Sequence, residues 1–390
     1  MLSGIETTIE FQMSLLLFMA LLGYQIASRI NQSVVVGEIL VGLVIGPSLL
    51  NMMTYSNYVE GMAHLGAVIL MFVVGLEFKP SSIYKWKYFI IALAGVILPW
   101  IGGYLLAQLF LYDFKTSVFI GTALTATSIA ITANVLKEMG KLKTKVAEAI
   151  IGAAVIDDVL GLMVLAVSNQ VVQGNLSLID DVLIVLKAVL FMVGGAYIGQ
   201  NVIVKYLERM DSQPMAKKYP EMLFIFAMMI AFLYSLLAEM IGLSAIVGAF
   251  LAGVSIAGVK LTHSKDLHVG SEYMHIIFSS IFFISLGILV DLHQVQPSLL
   301  LFTAALTATA IITKVVGCFA ASRLQGIDSG ESLIIGFGMS PRGEVAMIVG
   351  LIGLTSNIIT QEVYVVIIFM SLITTVITPL ILRSWLSPGG

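Results

Sequence analysis

Apolar residues in this chain come in long runs with no polar stripe at helical spacing and no strand-like alternation. About 20 such residues carry a helix across a lipid hydrocarbon core. That rule predicts thirteen spans, at 9–29, 32–50, 62–78, 87–112, 117–136, 145–171, 179–205, 219–240, 243–260, 271–290, 297–322, 330–352 and 361–386. The connections are short, and the pattern leaves no stretch for a soluble domain before, within or after the bundle. Glu6 and Glu10 stand where a secretory signal would carry basic residues, so the first run reads as a span.

Composition agrees. Of the 390 residues 59% are hydrophobic and only 11% charged, with a mean hydropathy of +1.02. A soluble domain carries roughly 25% charged residues and could not hide this much apolar surface. Soluble enzymes, disordered chains and nucleic-acid binders are excluded, the last also by a net charge of −3 with no basic patch. Charge placement then orients the bundle, because Lys and Arg collect on the cytoplasmic side. With the N-terminus outside and the C-terminus inside, 16 of the 20 Lys and Arg fall in cytoplasmic connections or span ends, against Lys115 alone outside. Lys187, Lys314 and Arg342 fall within spans.

Thirteen spans divide as six, one and six. An odd linker helix forces the second group of six to enter the membrane inverted, an arrangement common in secondary transporters. The fifth span of the first group carries Thr125-Ala126-Thr127-Ser128 at its middle, and that of the second carries Ser340-Pro341-Arg342. Pro341 removes a helix hydrogen bond, and Gly336-Phe337-Gly338 weakens the turn before it. Hydroxyls at 125, 127 and 128 suit a matching interruption, since they can satisfy freed backbone groups. Close helix packing by small residues is the alternative reading of that cluster.

Charges in the bilayer interior are costly and mark function. Asp157 and Asp158 have twelve residues of their span before them and thirteen after, which places them at mid-membrane. Neighbours on a helix point about 100° apart, so the two carboxylates address different partners. Carboxylate oxygens, hydroxyls and freed carbonyls suit a hard cation such as Na⁺. Burial and mutual repulsion favour a proton on at least one of the pair. A group that holds a proton or a cation, but not both, is a mechanism for exchange. The alternative is a polar pair that staples helices together. Lys314 needs a counter-ion, from Asp157, Asp158 or Glu344, or else snorkels toward the inner surface. Arg342 and Glu344 flank the second interruption, as compensation for half-helix dipoles or as a fixed structural pair.

Other polar residues read as structural. Glu38 and Glu77 lie near cytoplasmic span ends and are expected at headgroups or nearby Lys. The five His show no metal-ligand spacing, Cys318 has no disulfide partner in the chain, and the 20 Met suit packing. Gly42-x-x-x-Gly46 and Gly195-x-x-x-Gly199 permit close helix approach.

Thr125-Ala126-Thr127-Ser128, Ile156-Asp157-Asp158-Val159, Lys314 and Ser340-Pro341-Arg342-Gly343-Glu344, in this order and spacing, resemble the monovalent cation:proton antiporter-2 family over essentially the whole chain. The chain looks most similar to its two-aspartate sodium/proton antiporters of NapA type. That resemblance implies an all-α membrane fold with two broken helices crossing near the Asp pair, and a homodimer. It implies a core transport domain from 87–171 and 297–386, a dimerisation domain from 1–78 and 219–290, and a linker helix at 179–205. It assigns the principal cation and proton site, Na⁺ included, to Asp158, and an ion pair to Asp157 and Lys314. Thr127 and Ser128 fall in the unwound stretch. Potassium-efflux relatives carry Gln in place of the first Asp and append a nucleotide-binding domain, so Asp157 favours Na⁺ or Li⁺ over K⁺.

The expected function is therefore Na⁺/H⁺ exchange by alternating access, electrogenic by resemblance, in a prokaryotic cell membrane and without a cofactor or enzymatic activity. K⁺/H⁺ exchange is the same-class rival, and sodium-coupled symport of an organic anion a more distant one. An intramembrane aspartyl protease would need aspartates converging from different helices. A channel would need repeated filter segments or rings of charge.

Overall fold

Residues 8–30, 32–76, 86–128, 132, 135–136, 141, 144–173, 178–241, 243, 245–257, 259, 266–294 and 298–386 are described by a computed structural model. Among them every regular element is helical. The chain divides into two compact units, Met1–Pro80 with Gly174–Leu289, and Ser81–Gln173 with Val290–Gly390.

Unit 1 holds α1 (Ile9–Arg29), α2 (Val34–Ile45) and α3 (Asn57–Leu76) from its first segment. From its second come α7 (Leu178–Ile198), α8 (Val204–Asp211), α9 (Pro214–Lys218), α10 (Glu221–Met240), α11 (Ala245–Ile256) and α12 (Asp266–Ile288). Thr8 caps α1 by accepting from the Phe11 amide at 3.4 Å, and Ser56 caps α3 through the Val59 amide. That cap starts α3 five residues before the apolar run at 62. The span expected to end at 205 instead continues through a π-turn at Gly199–Ile203 into α8, ending at Asp211. Charged residues there end the apolar window but not the helix.

α2 and α11 have twelve residues each, about 18 Å of rise, against a hydrocarbon core of about 30 Å. Gly46-Pro47 stops α2, because the residue before proline is forced out of helical geometry. Glycines set the packing of both. A Cβ on Gly42 of α2 would lie 2.1 Å from the Ile284 carbonyl oxygen of α12, and one on Gly287 would lie 2.2 Å from that of Ile39. In the same way α3 and α11 meet at Gly75 and Gly253, where a Cβ would fall 2.3 Å and 2.1 Å from backbone oxygens. Helices this close press backbone on backbone. Both glycine spacings singled out in the sequence are contact points: Gly42 and Gly46 against α12, Gly195 and Gly199 against Leu251 and Ser255 of α11.

Unit 2 holds α4 (Trp86–Leu109), α5 (Phe114–Ala123), α6 (Lys145–Gln173), α13 (Ser298–Leu324), α14 (Ser329–Gly338), α15 (Glu344–Thr355) and α16 (Gln361–Leu386). Asp113 caps α5 through the Lys115 amide, and Asp328 caps α14 through the Gly330 amide at 2.9 Å. The amides of Gly330 and Ser329 hold the Asp328 carboxyl below the usual carboxylate range. Ile91, Ala147, Ile150, Ala153, Ala154, Ile335 and Met339 form an apolar cluster in this unit.

Eight helices among the described residues (α1, α3, α4, α6, α10, α12, α13 and α16) are long and apolar enough to cross a membrane. Large apolar side chains on several of them face outward, among them Leu21, Leu105, Leu109, Met240, Leu300 and Leu301, while Lys314 and Arg342 have no exposed surface at all. Polar inside and apolar outside is what a lipid solvent selects.

The glycine contacts predict a contrast. Gly253→Ala must push against the Phe72 backbone oxygen and should cost about 1–3 kcal/mol, as overpacking does. Gly61, inside α3 with nothing within 4 Å of an added Cβ, should tolerate alanine or gain up to about 1 kcal/mol from helix propensity. Thermal unfolding of the two purified variants in one detergent checks the order.

Candidate functional site

The site lies wholly in unit 2 and starts from two interrupted helices. α5 stops at Ala123, and residues 124–128 leave helical geometry. Thr125 turns its hydroxyl back to the Thr122 carbonyl at 2.8 Å, competing with the helix ladder. α14 stops at Gly338, residues 339–343 are non-helical, and α15 resumes at Glu344 with Gly343 as its cap. Pro341 has no amide proton to continue the ladder.

The two open stretches are hydrogen-bonded to each other. The Ser128 amide donates to the Pro341 carbonyl at 2.9 Å, the Thr127 hydroxyl to that of Met339 at 3.2 Å, and the Thr132 hydroxyl to that of Gly338 at 2.6 Å. A Cβ on Gly343 would meet Ser128 Cβ at 2.5 Å, so only glycine lets the strands of backbone approach this closely. Both helices give up ladder bonds, and each supplies partners for the other.

Four charges converge here. Asp157 and Asp158 come from α6, Lys314 from α13 and Arg342 from the second open stretch, all of them buried. The Lys314 ammonium donates to Asp157 Oδ1 at 2.6 Å and to the freed Thr125 carbonyl at 2.8 Å. Of the partners open to Lys314 in the sequence, the structure therefore selects Asp157 and leaves no snorkelling. Arg342 donates to the freed Ala126 carbonyl at 2.6 Å and to the Ala310 carbonyl of α13 at 2.9 Å. Its guanidinium thus rests on the negative end of α5, as dipole compensation requires. Glu344 is the first residue of α15, and its side chain lies outside the described residues. Asp157 Oδ2 is buried with no hydrogen-bond partner. Thr127 and Ser128 are buried with their backbone in the first open stretch.

Three hydroxyls that the sequence reading passed over complete the frame. Thr374 Oγ1 of α16 accepts from the Arg342 amide at 3.1 Å, and the Thr375 hydroxyl donates to the Arg342 carbonyl at 3.0 Å. Thr378 pairs with the Ser340 hydroxyl at 3.0 Å. Three threonines at i, i+1 and i+4 in an apolar span were the available signal. Gly95 of α4 makes room for the lysine, since a Cβ there would sit 3.4 Å from Lys314 Nζ and 2.9 Å from Cys318 Sγ. Among the described residues no group of three His, Cys, Asp or Glu converges on one point.

Chemically this is a membrane-interior carboxylate pair with one member held by an ammonium, bordered by hydroxyls and by carbonyls freed from two helices. The profile described as sodium/hydrogen exchanger, transmembrane, matches residues 15–387. The chain belongs to the sodium/hydrogen exchanger family. Within that family it is 32% identical over 381 residues to the Na⁺/H⁺-K⁺ antiporter GerN of Bacillus cereus, covering 96% of this chain and 95% of that one. It is 32% identical over 373 residues to a Na⁺/H⁺ antiporter of Enterococcus hirae, covering 95% and 96%. In fold it is similar to the sodium proton antiporter MjNhaP1 of Methanocaldococcus jannaschii, with a TM-score of 0.73 over 96% of this chain and 95% of that one at 17% identity.

The geometry of the ion pair makes a prediction that needs no transport assay. Lys314→Met strands a buried carboxylate and should cost about 3–5 kcal/mol of stability. Adding Asp157→Asn removes that charge, so the double variant should unfold at a higher temperature than Lys314→Met alone. Additive losses would mean that the two side chains do not act as a pair.

Proposed function

We propose that the chain is a Na⁺/H⁺ antiporter in which Na⁺ or Li⁺ competes with protons for the Asp157–Asp158 pair. The observation that carries this reading is the 2.6 Å pairing of Lys314 with Asp157, made at the open backbone of residues 124–128, whose Thr125 carbonyl the same ammonium reaches at 2.8 Å. A monovalent cation needs several oxygen donors at once to replace its water. Asp158 with the Thr127 and Ser128 hydroxyls offers such a set. When the cation is bound, the carboxylate keeps its charge. When it leaves, a proton neutralises the group, because a bare charge in a lipid interior is costly. The carrier is therefore loaded with one or the other in every crossing.

In this reading unit 2 is the moving transport core and unit 1 the dimerisation domain, with α7 and α8 as the linker between the two inverted groups of six spans. The protein works as a homodimer in a prokaryotic cell membrane, N-terminus outside and C-terminus cytoplasmic, and needs no cofactor. The two Asp and the lysine support reading it as a NapA-type, electrogenic member. Lys314 then either releases its proton during the cycle or stays as a fixed partner of Asp157. Arg342 and Glu344 compensate charge at the second interruption. Exchange of K⁺ for H⁺ is the second reading, favoured by the similarity to GerN, a Na⁺/H⁺-K⁺ antiporter.

The test uses purified protein in liposomes with an acid interior and a fluorescent pH reporter. Addition of Na⁺ or Li⁺ should dissipate the pH gradient, choline should not, and Asp158→Asn should abolish the response while still yielding a folded protein. A K⁺ response equal to that of Na⁺ would move the chain to the second reading. Full activity in Asp158→Asn would overturn the site. Clamping the membrane potential with valinomycin and K⁺ should change the wild-type rate, and an unchanged rate would mean electroneutral exchange.

A further inference from the structure

The mechanism uses the charges of unit 2 and leaves the buried acids Glu38 and Asp211 of unit 1 without a role. Glu38 of α2, expected from the sequence at the headgroups, is instead 2% exposed. α1 closes over it. A Cβ on Gly23 would lie 3.0 Å from the Glu38 backbone and 3.1 Å from its Cγ, so the missing side chain lets α1 pass this close to Glu38. On the other side of that contact, a Cβ on Gly37 would sit 2.1 Å from the Gly23 carbonyl oxygen. The acid is locked between two glycine contacts.

Its surroundings contain no cation among the described residues. From α1 the Tyr24 phenol lies within electrostatic reach, and from α12 Ser280 supplies a side-chain hydrogen bond. Ser280 has a single hydroxyl proton, and its Oγ is 2.7 Å from the Ile276 carbonyl, to which it donates. While it does so, that hydroxyl can turn a lone pair to Glu38. Oε1 of Glu38 is buried with no hydrogen-bond partner at all. An ionised carboxylate would leave that oxygen bare, in a setting where unpaired charge is prohibitive. A neutral carboxylic acid fits, because its O–H can donate to Ser280 Oγ and only an uncharged carbonyl oxygen goes unpaired.

We propose that Glu38 is a proton-binding site in unit 1, separate from the aspartate pair, whose proton bridges α2 to α12 and whose release loosens the packing of α1, α2 and α12. The only chemical step is transfer of that proton to water and its return.

Two measurements on the full-length protein in detergent test this, and neither needs transport, so failure of the antiport reading would leave them intact. The first is infrared spectroscopy at neutral pH in an Asp157→Asn/Asp158→Asn/Lys314→Met background, which removes the carboxyls of the aspartate pair without stranding the ammonium. A carboxylic acid C=O band should be present, vanish in Glu38→Gln, and move in Ser280→Ala, which loses the acceptor. The second is melting temperature against pH. It should fall in the parent protein across the pH range in which Glu38 gives up its proton, and fall less there in Glu38→Gln, whose amide mimics the neutral acid. If Glu38→Gln does not fold, the band shift in Ser280→Ala carries the test. Persistence of the full band in Glu38→Gln, no shift in Ser280→Ala, or identical pH slopes would each overturn the proposal.

Discussion

A lysine ammonium and an aspartate carboxylate 2.6 Å apart, both sealed from solvent, set the terms for unit 2. In a lipid interior neither charge can exist alone, so one partner obliges the other. The ammonium has three protons, and one carboxylate oxygen does not satisfy it. The helix that would otherwise close at Thr125 is opened, and its carbonyl becomes the second acceptor. That opening exposes the Ala126 carbonyl as well, which is met by Arg342. Arg342 can reach it because its own helix is broken at Pro341, and the backbone around Arg342 is in turn held by Thr374 and Thr375. The interruptions, the arginine and the threonines thus follow from one buried pair.

The two units are built on different physics. In unit 1 the decisive contacts are glycine against backbone, at Gly42 with Gly287 and Gly75 with Gly253. Such packing is rigid, because any displacement drives one main chain into another. In unit 2 the decisive contacts are polar and exchangeable: hydroxyls, freed carbonyls and four charges. Hydrogen bonds of that kind can be remade with a cation or a proton in place of a protein partner at modest cost. Glu38 is an exception in unit 1, a titratable group beside glycine contacts.

Much of this was legible in the sequence, for physical reasons. Asp157, Asp158, Lys314 and Arg342 stand out because charge in a 20-residue apolar run has few explanations. Pro341 announces its interruption by removing a hydrogen bond. The hydroxyl cluster at 125–128 announced the other one less sharply, because Ser and Thr also serve packing. What stayed hidden depends on three-dimensional neighbours. Thr374, Thr375 and Thr378 looked like ordinary membrane-helix threonines, since their partners sit more than 30 residues away in the chain. Glu38 was misplaced because its distance along the run suggested a headgroup, while α1 folds over it through Gly23. α2 and α11 were expected as full spans, and their twelve-residue lengths depend on where the helix stops and not on where hydropathy falls.

The central claim is that a cation and a proton compete for one carboxylate pair, and it can be tested without a membrane. Purified protein in weakly buffered detergent solution, at a pH where the site holds its proton, should release protons when Na⁺ is added. The release should saturate with Na⁺, be repeated by Li⁺, and disappear in Asp158→Asn. Proton release that persists undiminished in Asp158→Asn, or Na⁺ binding with no release in the wild type at any pH, would contradict it.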